Sequence, residues 1–362
     1  MKVAVVILNW NTKDYLRRFL PEVIASTMTV PGGAEVVVAD SGSTDGSMEM
    51  MATSFPGVRT LPLGGNFGFT GGYNRALAQI DADYAVLLNS DVEVTPLWLS
   101  PLVEWMDTHP GCGACGPKLH GFDERDRFEY AGAAGGRIDR YGYPFCRGRV
   151  LSRLEQDRGQ YDAAPKDVLW ITGACLMVRM TLWRELGGLD ERFFAHMEEI
   201  DLCWRMQLAD WRVTVVPAST IYHIGGGTLP QGSPRKLELN YRNNLLLLEN
   251  NLARTLALGM DPEQAVRKAA RRIFWRQILD GLSAAAYLLS LRPKAFSAVL
   301  KAHSGYRKLR KRETAETIAA WRAALPKDHQ IQIKGIYNGR MIPLALLRGR
   351  GVFQALEKRT DL

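Results

Sequence analysis

Three apolar runs, residues 3–8, 35–39 and 84–88, each break at once into Asn, Asp and Ser, and this pattern constrains the chain more than any other. A strand without alternating polar residues must be covered on both faces. Such strands separated by helical periodicity predict a mostly parallel sheet with right-handed crossovers. Helices are expected over 13–26, 45–54, 71–79 and 96–107, with a further short strand over 58–61. Sheets of this kind bind ligands beyond the carboxyl ends of their strands, which points to residues 9–11, 40–45 and 89–91.

Periodicity fades over 121–166, where Gly, Arg and aromatic residues predict loops or a flap over a site. It resumes with a strand and turn over 168–179, a helix over 198–209 and a strand over 213–217. From Lys236 onward the pattern is helical, with breaks expected near Gly259, Pro293 and Pro326, and no internal repeat is present.

Charge divides the chain. Residues 1–230 carry 21 Lys+Arg against 28 Asp+Glu, and 231–362 carry 25 against 10, a formal −7 followed by +15. A basic tail on an acidic body predicts an anionic surface as partner. Because the basic residues of 267–312 interleave with Phe274, Trp275, Ile278 and Leu282, that partner is expected to be a membrane surface. No nucleic-acid module is recognisable. The apolar run 278–291 contains Asp280 and is too short to span, so the helix is expected to lie on the bilayer. Five cysteines in apolar stretches do not form a disulfide framework, and Cys112 and Cys115, a lone CxxC, are not expected to bind metal. A strand pattern at the very start leaves no room for a signal peptide, so secretion is not expected.

Four segments bear on chemistry. Residues 40–47 place Asp40, Ser41 and Asp45 in one strand-to-helix turn, which either caps a helix or binds a ligand. Residues 64–75 are glycine-rich before a helix whose amides are suited to a phosphate, yet match neither a Walker loop nor a dinucleotide fingerprint. Asn89, Ser90 and Asp91 end a doubly buried strand; Asp91 either begins a turn or holds a divalent cation beside a diphosphate. Glu198, Glu199 and Asp201 crowd three carboxylates into four residues. A helix N-terminus accounts for one or two, and a third suggests a carboxyl raised towards the range of a general base.

In this order, Ile7-Leu8-Asn9-Trp10-Asn11, Ala39 to Ser47, Asn66-Phe67-Gly68-Phe69 with Gly71 to Asn74, Leu88 to Asp91, Thr172 to Met177 and the stretch ending Asp201-Leu202-Cys203-Trp204-Arg205 resemble family 2 of the inverting glycosyltransferases, in particular its bacterial rhamnosyltransferase-like members. The resemblance covers roughly residues 1–250. It implies a GT-A, Rossmann-like α/β fold with a nucleotide-binding half (1–120) and an acceptor-binding half (121–250), followed by a basic helical C-terminal region (251–362). It implies that Trp10 and Asp40 contact the nucleobase, with Asn9, Asn11, Ser41, Asp45, Asn66, Gly68, Asn74, Asn89 and Ser90 around the donor. Asp91 would hold manganese or magnesium, His223 would be a further ligand or a buried structural histidine, and Glu199 would be the base. Two departures stand out. The metal triplet is Asn89-Ser90-Asp91 where Asp-x-Asp is usual, and Glu199 stands where Asp is common, so Glu198 and Asp201 remain alternatives.

The expectation is therefore a metal-dependent hexosyltransferase using a nucleoside-diphosphate sugar, rhamnose being a candidate, and a glycan or lipid-linked acceptor at the cytoplasmic face of the cell membrane. Two other readings are a sugar nucleotidyltransferase, which would release pyrophosphate, and a non-catalytic nucleotide-sugar or glycan-binding protein.

Overall fold

The computed structural model describes residues 2–28, 30–225, 232–325 and 331–360. Its first half follows the strand-helix rhythm: β1 (Val3–Asn9), α1 (Lys13–Thr27), β2 (Ala34–Asp40), α2 (Ser47–Ser54), β3 (Arg59–Pro62), α3 (Gly68–Leu77) and β4 (Tyr84–Leu88). Strand β1 shows why these runs are apolar throughout. Ala4 and Val6 enter one core, Val3, Val5 and Ile7 the core on the other face, and all five are buried. Strand β4 splits likewise, with Ala85 and Leu87 on one side and Tyr84, Val86 and Leu88 on the other.

There follow β5 (Val92–Val94), α4 (Leu99–Thr108), β6 (Cys112–Gly121), β7 (Gly136–Asp139), β8 (Pro144–Cys146), β9 (Arg149–Val150), β10 (Arg153–Leu154), β11 (Lys166–Asp167), β12 (Cys175–Arg179), α5 (Met180–Glu185), α6 (Glu198–Leu208) and β13 (Arg212–His223). The main sheet runs β11-β13-β6-β12-β4-β1-β2-β3, with β5 paired to β13. Pairs among β3, β2, β1 and β4 are parallel, as the sequence rhythm predicts; β12 runs antiparallel to both β4 and β6. The five cysteines are free and buried.

The C-terminal part consists of α7 (Pro234–Ala257), α8 (Pro262–Leu289), α9 (Pro293–Leu309), α10 (Ala315–Ala323), β14 (Ile336–Tyr337), α11 (Met341–Arg348) and α12 (Val352–Thr360). The expected breaks near Gly259 and Pro293 fall between α7, α8 and α9; Pro326 lies outside the described residues. Helix α7 passes unbroken through residue 250.

Segment 121–166 differs from its expectation. Instead of a flap it supplies four strands of a second sheet, β10-β9-β8-β7-β14, closed by a strand from near the far end of the chain. Strands of two to four residues are too short to show a period, which is why the sequence reads there as loop. Phe145 and Val150 pack with Tyr337, Met341, Val352 and Phe353 in a separate small core. The buried guanidiniums of Arg137 and Arg147 meet Glu357 of α12 at 2.8 and 3.2 Å.

Candidate active site

At the ends of β1 and β2, Asn9 lies level with Asp40. The Asn9 amide is fully buried and donates to Asp40 Oδ1 (2.8 Å), Ser43 Oγ (2.9 Å) and Ser47 Oγ (2.9 Å), while its oxygen accepts from Thr12 Oγ1 (2.6 Å). Asp40 Oδ2 accepts the N–H groups of Gly42 and Ser43, both at 3.1 Å. Asp45 ties two helix starts, accepting from Lys13 N (2.8 Å) and Ser47 N (3.0 Å). Asn9 and Asp45 are thus engaged as braces of the rim. Asn11 adopts φ +55°, and its side chain accepts from Thr44 N at 2.7 Å. Beside it Trp10 stays 41% exposed, and Ser41 Oγ is buried with no hydrogen-bond partner among the described residues. An open indole face and an unmatched hydroxyl suit a flat heterocycle with polar edges.

The glycine-rich segment turns inward. Asn66 caps Gly68 N at 2.9 Å, and α3 begins at Gly68 with φ +70°. A side chain there would meet the Phe194 carbonyl at 2.5 Å, so only glycine fits. Asn74 is held away from the rim: it donates to Leu189 O (2.8 Å) and accepts from Leu189 N (2.9 Å).

At the end of β4, Asn89 N donates to Ala174 O at 2.9 Å, linking this turn to the residues before β12. Pairing of β5 with β13 sets His223 opposite Val92 and brings its Nε2 to 3.3 Å from Asp91 Oδ1. Its Nδ1 stands 3.5 Å from Glu129 Oε2. Burial disfavours a charged imidazole, but Asp91 and Glu129 outweigh it and push His223 up to about 10. The pocket thus already selects positive charge. Among the described residues no group of three or more His, Cys, Asp or Glu side chains is arranged to hold a metal ion, and an imidazole charged between two carboxylates must lose its proton before it can be a ligand. The Asp91 carboxylate is the donor that suits manganese or magnesium beside a diphosphate. Glu129 went unnoticed in the sequence because it lies in the patternless segment, where nothing marks one carboxylate above its neighbours.

Helix α6 opens with the carboxylate cluster. Asp201 is fully buried and engaged on both oxygens by Arg205 Nε (2.7 Å), Asn250 Nδ2 (2.9 Å) and Asn251 Nδ2 (2.8 Å), which fastens α6 to α7. Burial, then the charge of Glu199, pushes the Glu198 carboxyl well above the usual range. Burial pushes Glu199 up to about 7, while backbone N–H groups of its own turn and of Gly173 pull the other way. Glu199 packs on Gly173, next in sequence to the Ala174 that receives Asn89 N. Since β4 neighbours β1 and β1 neighbours β2, Glu199, Asn89 to Asp91, Asn9 and Asp40 lie along one rim of the sheet.

The turn before α6 is strained: Phe194, His196 and Met197 have φ of +64°, +71° and +73°. Helix α7 holds it. The buried Asn243 amide donates to the carbonyls of Phe193 (2.9 Å), Ala195 (2.8 Å) and His196 (2.7 Å), and Arg242 Nη2 adds bonds to Arg192 O and Phe193 O.

Residues 4–180 match the sequence profile of the family described as Glycosyl transferase family 2. The N-acetylglucosaminyl-diphospho-decaprenol L-rhamnosyltransferase of Mycobacterium tuberculosis (strain CDC 1551 / Oshkosh) is 30% identical over 239 residues, spanning 61% of this chain and 75% of that protein. Rhamnosyltransferase WbbL of Escherichia coli (strain K12) is 22% identical over 230 residues, spanning 61% and 83%. Among solved structures, GalNAc-T7 with UDP, GalNAc and Mn2+ superposes with a TM-score of 0.51 at 15% identity over 72% of this chain and 52% of that one, a likeness of fold alone.

Proposed function

The chain belongs to glycosyltransferase family 2 and is a sugar-transferring enzyme of cell-envelope glycan synthesis, and from that premise we propose an inverting transfer of rhamnose from its nucleoside diphosphate to a polyprenyl-diphosphate-linked N-acetylglucosamine. The observation that carries the mechanism is a buried carboxyl raised to about 7, Glu199, set on the same sheet rim as Asp91 and His223. Near neutrality such a group is both substantially ionised and basic enough to take a proton. Glu199 accepts the proton of the acceptor hydroxyl as that oxygen attacks the anomeric carbon, and the nucleoside diphosphate leaves from the opposite face, inverting the centre. Trp10 offers its exposed face to the base, and Asp40 with Ser41 reads its edge. A divalent cation bound at Asp91 would neutralise charge on the departing diphosphate.

Burial and the neighbouring charge of Glu199 favour the neutral form of Glu198, while Asp201 is a brace. The like-sign basic residues of the C-terminal region support action at an anionic membrane surface, on the cytoplasmic leaflet. Among the described residues no helix is long and apolar enough to cross a membrane. The deciding experiment incubates the protein with deoxythymidine-diphospho-rhamnose, manganese and a short polyprenyl-diphosphate acceptor. Release of nucleoside diphosphate with a lengthened glycan is expected; pyrophosphate as the product would mark a nucleotidyltransferase instead.

A further inference from the structure

Helix α8 is turned inside out. Its charged pair, Arg276 and Asp280, is buried at 2.8 Å, where Arg276 also reaches Tyr141 O and Asn244, and Asp280 faces His303 of α9. Ala265, Ala269 and Ala284 are buried and Val266 and Ile273 pack on the core, but most of its large apolar residues from Phe274 onward point outward. Phe274 (55% exposed), Trp275, Ile278, Leu282 (63%), Leu288 and Leu289 (85%) recur at helical spacing with Ala285 and Ala286 between them. No charged side chain interrupts this outer face from Phe274 to Leu289, a length of about 22 Å at 1.5 Å per residue. Exposed Leu291 and Leu300 extend it. A stripe of this extent on a free surface marks an interaction site.

Charge identifies the occupant. Exposed Lys268 and Arg271 precede the stripe on the same helix, beyond Arg267, which pairs with Glu263 at 3.0 Å, and exposed Arg292, Lys294 and Lys301 follow it. From Gln264 to Arg312 the only carboxylate in the sequence is Asp280, buried against Arg276. A second copy of the chain packed stripe to stripe would bring these cationic ends together, whereas a surface of anionic headgroups over acyl chains matches both the cations and the apolar centre. We propose that the outer face of α8, from Phe274 to Leu291, lies in the interfacial layer of an anionic lipid bilayer, with the flanking Arg and Lys on phosphate headgroups. This rests on the membrane-surface reading above and names the surface that performs it.

The test uses the full chain, sedimented with vesicles of phosphatidylcholine alone and of phosphatidylcholine mixed with phosphatidylglycerol. Binding to the mixed vesicles that weakens with added salt is expected, with little binding to the neutral ones. Leu282→Glu and Ile278→Glu, both at exposed positions, should each lower the partition coefficient by about tenfold or more. Lys268→Glu with Arg271→Glu should lower it comparably and flatten the salt dependence. Wild-type partition in Leu282→Glu overturns the proposal, as does equal binding to neutral vesicles. So does a dimer in sedimentation equilibrium that Leu282→Glu dissociates, since a second copy would then cover the stripe. Melting temperature and sugar transfer to a soluble acceptor analogue, measured alongside, report folding and the transferase reading separately. An inactive protein that still binds vesicles leaves the surface standing and removes the transferase reading.

Discussion

Glu199 carries the sharpest residue-level expectations. Removing its charge in Glu199→Gln should lower turnover by about 10² to 10⁴ while leaving donor affinity nearly unchanged, as read by steady-state kinetics and by calorimetry with the nucleoside diphosphate. Because the proposed base acts unprotonated and Glu199 sits at about 7, turnover in the wild type should fall on the acid side of pH 7. Stability runs the opposite way. The folded state holds a proton that the unfolded carboxyl, near its ordinary value of 4.5, has already lost, so the contribution of this group declines as pH rises from about 4.5 to 7. Glu199→Gln should accordingly melt higher than wild type at pH 8, by on the order of a few degrees. Crowding of Glu198, Glu199 and Asp201 was legible in the sequence because repulsion at that spacing demands an explanation. Which of the three is already engaged was not, since only the partners from α7 mark Asp201 as a brace. The same holds for Asn9 and Asn74, amides whose direction depends on neighbours 31 and 115 residues away.

Among the elements, the turn between the short 3-10 turn (Glu191–Phe193) and α6 sets where Glu199, the proposed base, points. Three left-handed residues would relax without the Asn243 amide that gathers the carbonyls of Phe193, Ala195 and His196 in that turn. Asn243→Ala should therefore reduce kcat by about tenfold or more with the nucleotide dissociation constant within about twofold, since misplacement by an ångström alone can cost ~10²-fold. A merely structural role would move the melting temperature and not this split. Gly68→Ala, which drives a methyl into the Phe194 carbonyl, should disturb the same turn from α3 and lower both activity and melting temperature. The strands and helices of the first half were readable because β1 and β4 are apolar on both faces and β2 nearly so, while the short edge strand β3, Arg-Thr-Leu-Pro with only Leu61 buried, falls between clear helices. Strand β6 escaped because it begins Cys-Gly-Ala-Cys-Gly-Pro, small residues without β-branching, and is specified by neighbours β12 and β13 rather than by its own preferences.

At the scale of the whole molecule, the C-terminal region is woven back into the middle of the chain. Two buried guanidiniums, Arg137 and Arg147, both pair with the partly exposed carboxylate of Glu357, so Glu357→Ala should cost about 1–3 kcal/mol, measured by chemical denaturation. The expected division into 1–250 and 251–362 followed the extent of the family resemblance, which does not record which strands pair; the chain crosses residue 250 inside α7.

That return of α12 and β14 also sets a timetable for biosynthesis. Arg137 and Glu357 are 220 residues apart, so at roughly 5–20 residues per second the ribosome needs about 10–45 s to deliver the second after the first. For most of that interval the nascent small sheet lacks its closing strand, and Arg137 and Arg147 lack Glu357 throughout. The parallel half of the main sheet can settle while translation continues. Its neighbour cannot, which makes the stretch around 136–154 the place where a chaperone, or a wandering strand edge from another nascent chain, would first find purchase.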